Sequence, residues 1–392
     1  MKNVKEIISN LNKLSKQNFS AIGSTEFYFG NTVLKTQEIA NMLIPFGIAV
    51  FLCSEKDYKE KVEPVEKALL LKGIKVRIIF NPRDIGEVVI PENSRMIISF
   101  GNEYFNLAGK IATEKNLYSL FIIDQFNFDD MLNSYFEIYK DNKKSRVRLD
   151  FDRRILLDVE KIIDDEKGCA EEFAFVMSKL ISLVDYRIFG IITETPTNKK
   201  AYSLIKSAVE ETYSLLSKIR EDYLLTLIEN AIKVRLADAI TLGSFYKNSA
   251  PDICAKLHGD RNSSLFYAKR IAKIYTLAFS SEYDGVASPD YLERAENLSK
   301  LESAKETDYS KWLVYQSNLC AEKENQISVV KEILYTETFN YLKIFDLVEK
   351  TYIALGGKKI TPNDDFIKIS GDFYQTFNGM TLVRDCGISE FL

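Results

Sequence analysis

The stretch Ile48-Ala49-Val50-Phe51-Leu52-Cys53-Ser54-Glu55 decides how this chain is read. Six apolar residues in a row, without alternation, make a strand apolar on both faces, the kind found in sheets covered by helices on either side. Working outward, residues 34–43 carry helical periodicity and stop at Pro45-Phe46-Gly47, and a charged helix over 57–72 stops at Gly73, a C-cap glycine. Residues 74–80, ended by Asn81-Pro82, form a second buried strand; 95–100 and 118–123 form a third and a fourth. Buried strands alternating with helices predict a parallel sheet of βαβ units. Residues 26–29 are extended, and 155–157 make a last short strand. Between them, 135–139 and 145–149 alternate on either side of Asp141-Asn142-Lys143-Lys144, which is a hairpin signal.

From about residue 160 the strands stop. Residues 173–189, 201–217, 223–241, 265–279 and 328–355 have helical periodicity, and the prolines of this half (Pro196, Pro251, Pro289, Pro362) fall at breaks between them. The expected architecture is an α/β Rossmann-like domain over 1–159, a parallel sheet plus a β-hairpin, followed by an all-helical domain over 160–392. The first 17 residues set Val4, Ile7, Ile8, Leu11 and Leu14 at helical spacing among Lys and Asn. That predicts an amphipathic helix docked on the body; the stripe is narrow and lacks Trp and Phe, unlike a membrane-surface helix.

The totals exclude several classes. One histidine in 392 residues means that no site drawing two or more His from one chain can form, which removes Zn-His₃ and HExxH centres. Lys plus Arg total 52 against 56 Asp plus Glu, so no basic footprint for nucleic acid exists. The five cysteines are scattered and never in a CxxC pair, which fits a reducing cytosol rather than a disulfide framework. No apolar run approaches the ~20 residues of a membrane span, and no GxSxG elbow is present. A cytoplasmic protein without nucleic-acid or membrane partners is expected.

In an open parallel sheet, ligands bind outside the carboxyl ends of the strands. Two such ends stand out. After the first buried strand, Glu55 can accept hydrogen bonds from ribose hydroxyls; it also reads as an acid opening the next helix, where it suits the dipole. After the third, Phe100-Gly101-Asn102-Glu103-Tyr104 leads into a helix through Lys110, a strand–turn–helix of the kind that holds pyrophosphate on backbone N–H groups. Only one glycine is present there and Glu103 adds negative charge, so a plain βα turn is the competing reading. Cys254 and His258, four apart with Asp252 nearby, could begin a metal site, but no third ligand accompanies them.

These features, in order, resemble the dehydroquinate synthase-like superfamily, which includes the iron-containing alcohol dehydrogenases, glycerol dehydrogenase and glycerol-1-phosphate dehydrogenase. Tyr28-Phe29-Gly30 resembles its opening strand, residues 50–55 its first strand ending in an acid, and Phe80-Asn81-Pro82 its Asn-Pro. Residues 97–110 stand where the family has a strand, GGGS, an Asp and a Lys opening a helix. The hairpin followed by Ile155-Leu156-Leu157-Asp158 resembles its step into the helical domain. Lys179, then Asp185-Tyr186, is similar to the Lys and Asp-Trp of the metal helix in the glycerol-1-phosphate branch, and Val383-Arg384-Asp385 to that branch's ending.

The departures fall on the chemistry. Gly101-Asn102-Glu103-Tyr104 replaces GGGS, and Leu107 stands at the family's Asp. Phe175 takes the metal Asp position and Leu257 the first His position, one short of His258. Residues 265–279 contain no second His, and Glu171 and Glu172 come one turn too early. The resemblance implies a dehydroquinate synthase-like fold, NAD or NADP at Glu55, Gly101, Asn102, Glu103 and Lys110, a small-molecule or nucleotide ligand in the interdomain cleft, and a homodimer. With the metal set replaced, the expected protein is a non-catalytic or altered nucleotide-binding relative with no metal. The alternative is an active NAD(P)-dependent oxidoreductase on a polyol, polyol phosphate or aldehyde, with a non-metal electrophile.

Overall fold

A computed structural model describes residues 3–133, 135–140, 143–149, 151–192, 196–214, 221–241, 249, 251–252, 263–278 and 324–358. The chain forms two compact units, Met1–Cys169 with Lys218–Leu242, and Ala170–Ser217 with Gly243–Leu392.

The first unit is built on six strands: β1 (Thr25–Phe29), β2 (Ile48–Cys53), β3 (Lys75–Phe80), β4 (Ser94–Phe100), β5 (Tyr118–Ile123) and, after the hairpin β6 (Tyr135–Lys140) and β7 (Lys143–Arg148), β8 (Arg153–Leu157). Their order is β1-β8-β5-β4-β2-β3 and every pairing is parallel. The hairpin expected across residues 141–144 is present and pairs antiparallel from Tyr135↔Arg148 to Lys140↔Lys143, so Lys143 and Lys144 belong to its second strand rather than to the turn. From β2 the chain goes outward to β3, then returns to β4 on the other side of β2 and continues to β5. The direction of winding therefore reverses between β2 and β4.

Burial explains why these runs are strands. Phe51 and Cys53 of β2 join Met96, Ile98 and Phe100 of β4 in a cluster with Ile39 and Ala40 of α3 (Thr32–Leu43), its C-cap residue Ile44, and Val65 and Leu69 of α4 (Glu63–Leu70). On α5 (Phe105–Lys115), Phe105 stacks on Phe121 of β5 with ring centroids 4.6 Å apart. Burying two or three aromatic and aliphatic side chains per strand at about 1.5–3 kcal/mol each offsets much of the entropy of ordering it.

One strand departs from expectation. Residues 74–80 were expected to be buried on both faces, yet β3 is the sheet's edge: Lys75 is exposed, and Phe80 is 44% exposed. Ile74 just before the strand is buried in the cluster and Val76 and Ile78 pack against it, while Lys75 and Arg77 alternate with them and keep an unpaired edge soluble. The helix expected over 57–72 begins as a π turn, Tyr58–Val62, before α4. Pro64 has no N–H to donate to the carbonyl of residue 60, so the turn widens and Glu63 donates to Tyr58 instead. Gly73 then closes α4 with φ +76°, and Ile74 donates back to Leu69, the C-cap expected from sequence.

The leading helix α1 (Val4–Gln17) docks as its stripe predicts, with Ile7 and Leu11 buried. Asn12 completes β1's outer edge: its side chain accepts from the Phe27 N–H at 2.7 Å and donates to the Phe27 carbonyl at 3.0 Å. α2 (Phe19–Ile22) follows. After β8, Asp158 accepts from both the N–H and the hydroxyl of Thr32, at 2.9 and 2.6 Å, and so anchors the start of α3. Next come α6 (Val159–Ile163) and α7 (Glu166–Ile192). The division between units falls after Cys169, and α9 (Glu221–Ile240) returns to the first unit, against α1, α2 and α6. The sequence boundary at 159/160 marks a change of rhythm, whereas these units are defined by packing.

The second unit holds the rest of α7 together with α8 (Lys199–Ser214), α10 (Ser263–Ala278) and α11 (Glu324–Ala354). α10 and α11 pack together, with Lys269 bridging Asp346 at 2.9 Å and Glu349 at 2.6 Å. No strand is found after residue 157 among the described residues.

Candidate functional site at the strand ends

The reversal between β2 and β4 brings the two strand ends singled out in the sequence side by side, with Leu52 in register with Ser99. In a doubly wound sheet that is where the crevice opens, because the connections leave the two strands in opposite directions.

Beyond Cys53 the chain is held by short polar ties. The Ser54 hydroxyl donates to Asp57 Oδ2 at 2.5 Å and accepts from the Asp57 N–H at 3.1 Å. Asn81, in the left-handed region with φ +47°, donates its N–H to the Cys53 carbonyl and accepts the Glu55 N–H on Oδ1 at 3.3 Å. Asn tolerates that conformation better than most residues, and Pro82 stiffens the chain after it. The Asn-Pro pair thus joins the ends of β3 and β2 and leaves the Glu55 carboxylate exposed at the rim. Lys61 reaches across to Asp124, directly after β5, at 3.0 Å.

Beyond Phe100, Gly101 has φ +88° and ψ 139°, a conformation an L-residue adopts only under strain. Asn102 donates its side-chain amide to the Asn127 carbonyl at 2.9 Å, tying the turn to the loop after β5. The Glu103 carboxylate folds back over Gly101: a Cβ there would lie 2.7 Å from Oε2. Burial, then the negative charge of Glu103, pushes the Tyr104 phenol up from its ordinary pKa. Lys110 sits five residues into α5, about 7.5 Å along the axis from its first residue. The reversal thus gathers Glu55, Gly101, Asn102 and Glu103 at one rim, with Lys110 further along the helix. The strand ends carry four carboxylates, Glu55, Asp57, Glu103 and Asp124, of which Asp57 and Asp124 lie 3.9 and 3.0 Å from the Lys61 ammonium.

A second polar cluster lies in the other unit, on α7. Lys179 is fully buried and ion-paired to Asp252, and its ammonium stands 3.9 Å from the centroid of the Phe175 ring. Ser182, one turn on, shares a 2.7 Å hydrogen bond with Ser249 and donates to Asp252 Oδ2 at 3.2 Å. Almost three turns after Phe175, Asp185 accepts from the Tyr275 hydroxyl at 2.6 Å. Glu172 is buried one turn before Phe175. The sequence reading set Asp252 beside Cys254 and His258; in the fold Asp252 pairs with Lys179, whose ammonium needs a carboxylate once buried. Cys254, Leu257 and His258 lie outside the described residues. Among the described residues no group of three or more His, Cys, Asp or Glu could hold a metal ion, and no helix is long and apolar enough to cross a membrane.

The fold defined here is a doubly wound parallel α/β unit followed by helices. No family model matches the sequence, and no curated protein matches it. Solved structures align with this chain. Glycerol dehydrogenase from Schizosaccharomyces pombe aligns at 13% identity with a TM-score of 0.48, over 86% of this chain and 92% of that one. NADH-dependent butanol dehydrogenase A from Thermotoga maritima aligns at 13% and 0.48, over 92% and 90%. An iron-containing alcohol dehydrogenase from Thermococcus thioreducens aligns at 10% and 0.48, over 94% and 97%. At such identities and scores, the likeness transfers neither substrate nor site residues.

Proposed function

We propose that this chain is a nucleotide-binding protein of the alcohol and polyol dehydrogenase type that works without a metal ion, taking NAD or NADP at the β2–β4 strand ends. The observation that carries the reading is the reversal of winding between β2 and β4, which makes neighbours of the two strands that lead to Glu55 and to Gly101. Glu55 accepts the ribose hydroxyls from its exposed position, and the pyrophosphate lies along the turn from Gly101. Glu103 must swing off Gly101 for that, which an exposed side chain does at little cost. The neighbouring carboxylates make the site a weak one for a dianion.

The metal-independent part rests on the chemistry around Phe175. A divalent ion placed about 4 Å from a buried ammonium would meet a repulsion of roughly 8 kcal/mol at an effective dielectric of ~20. An aromatic ring offers no oxygen, nitrogen or sulfur donor in return. The described residues at this place therefore do not fit a metal, and no reaction step is routed through one.

The test is calorimetric titration of the purified chain with NADH, NADPH and ADP-ribose, alongside elemental analysis. The reading expects saturable binding of at least one dinucleotide by protein that carries no stoichiometric metal, and no oxidation of glycerol with NAD⁺. Failure of every dinucleotide to bind overturns the site; stoichiometric zinc or iron, or steady turnover, overturns the metal-independent, non-catalytic part.

A further inference from the structure

The Lys179 cluster deepens the metal-independent half of that reading. Among the described residues, the Lys179 ammonium meets the Asp252 carboxylate and the face of the Phe175 ring, with the Ser182 and Ser249 hydroxyls adjoining. A ring face with a carboxylate is the acceptor set that suits an ammonium ion, through cation–π attraction and a charge-assisted hydrogen bond. A hydrated divalent ion seeks several oxygen donors and has no use for the ring. Lys179 is wholly buried and Asp252 only 11% exposed, so water does little to screen the pair.

We propose that the Lys179 ammonium is the resident cation of the second unit, and that emptying its place creates a binding site for a primary alkylammonium ion. The contact is between charges and dipoles; no bond is made or broken.

The experiment uses the full chain with Lys179→Ala. That change removes three methylene carbons and the nitrogen, the atoms of n-propylammonium. The variant's Tm should fall by roughly 6–20 °C, the loss expected when one partner of a buried pair is removed. At ten times its Kd, n-propylammonium chloride should then raise the variant's Tm by about 3–6 °C. The wild type should not respond. Sodium chloride at equal ionic strength, n-propanol, and zinc or magnesium chloride should not substitute. Rescue by n-propanol as large as by the ammonium would overturn the proposal, because the place would then be only a hole. Larger rescue by zinc would overturn it too, as a metal site would.

Should Lys179→Ala fail to fold, Lys179→Met keeps the volume and removes the charge. Lys179→Met should be less stable than the wild type, and Lys179→Met with Asp252→Asn should recover part of the loss. A Lys179→Met chain as stable as the wild type, or a double variant no better than the single, would overturn the proposal. None of these readouts involves a dinucleotide, so a failed nucleotide site and a failed cation site are told apart.

Discussion

Replacing Gly101 by alanine tests the geometry of the β4 turn. The backbone there has φ +88° and ψ 139°, a region in which an L-residue costs of order 1–3 kcal/mol. The new Cβ would also lie 2.7 Å from Glu103 Oε2. That atom is the far end of an exposed side chain, so its displacement adds about 1 kcal/mol at most, the scale of a changed rotamer. Gly101→Ala should therefore destabilise by about 1–4 kcal/mol, lowering the urea midpoint of the first unit's transition by roughly 0.5–1.5 M. Adding Glu103→Ala should return only the smaller, steric part. The assay is urea unfolding followed by circular dichroism on the wild type, both single variants and the double. A Gly101→Ala midpoint equal to the wild type's would refute the strained turn. Full recovery in the double variant would show that the carboxylate, and not the backbone, makes glycine necessary.

Two further outcomes follow from the same rim and its floor. Glu103→Gln removes a negative charge near the proposed pyrophosphate position and should tighten NADH binding about tenfold by calorimetry, the scale of one like-charge repulsion at about 5 Å in a partly hydrated site; weaker binding would show that Glu103 contacts the ligand favourably. Cys53 is buried at the end of β2, and burial first, then the Asp57 and Glu66 carboxylates, pushes its thiol from an ordinary 9 up to about 12. Since the neutral thiol is favoured in the fold, its share of stability is complete below pH 9 and is lost as pH rises through 12. The stability advantage of wild type over Cys53→Ala should shrink across that window, and peptide mapping should find Cys53 unalkylated by iodoacetamide at pH 8 in the native state; rapid labelling would contradict both.

Much of the fold was readable because its signals are local. A run such as 48–53 is apolar at every position only if both faces are covered, and the alternation about residues 141–144 marks a hairpin wherever it occurs. What periodicity does not carry is neighbourhood. Nothing in residues 153–157 says that β8 inserts between β1 and β5, and residues 74–80 look central until the pairing puts β3 at the edge. Likewise α9 resembles the other helices in sequence, yet packs with the first unit. The site divides in the same way. Glu55 and Gly101 are visible as strand ends, but the reversal that sets them together is a property of strand order. The tie from Asn81 was within reach, since Asn-Pro after a strand is a turn signal. Lys179 and Asp252 lie 73 positions apart, and Ser182 and Ser249 carry no motif at all. Only the compensation of a buried charge connects them.

Hydrogen–deuterium exchange with and without NADH tests the central claim most directly. If the dinucleotide sits at the β2–β4 reversal, peptides covering residues 52–58 and 100–106 should gain protection on binding, in protein free of metal. Unchanged exchange in both segments, with NADH bound, would place the ligand elsewhere and contradict the assignment.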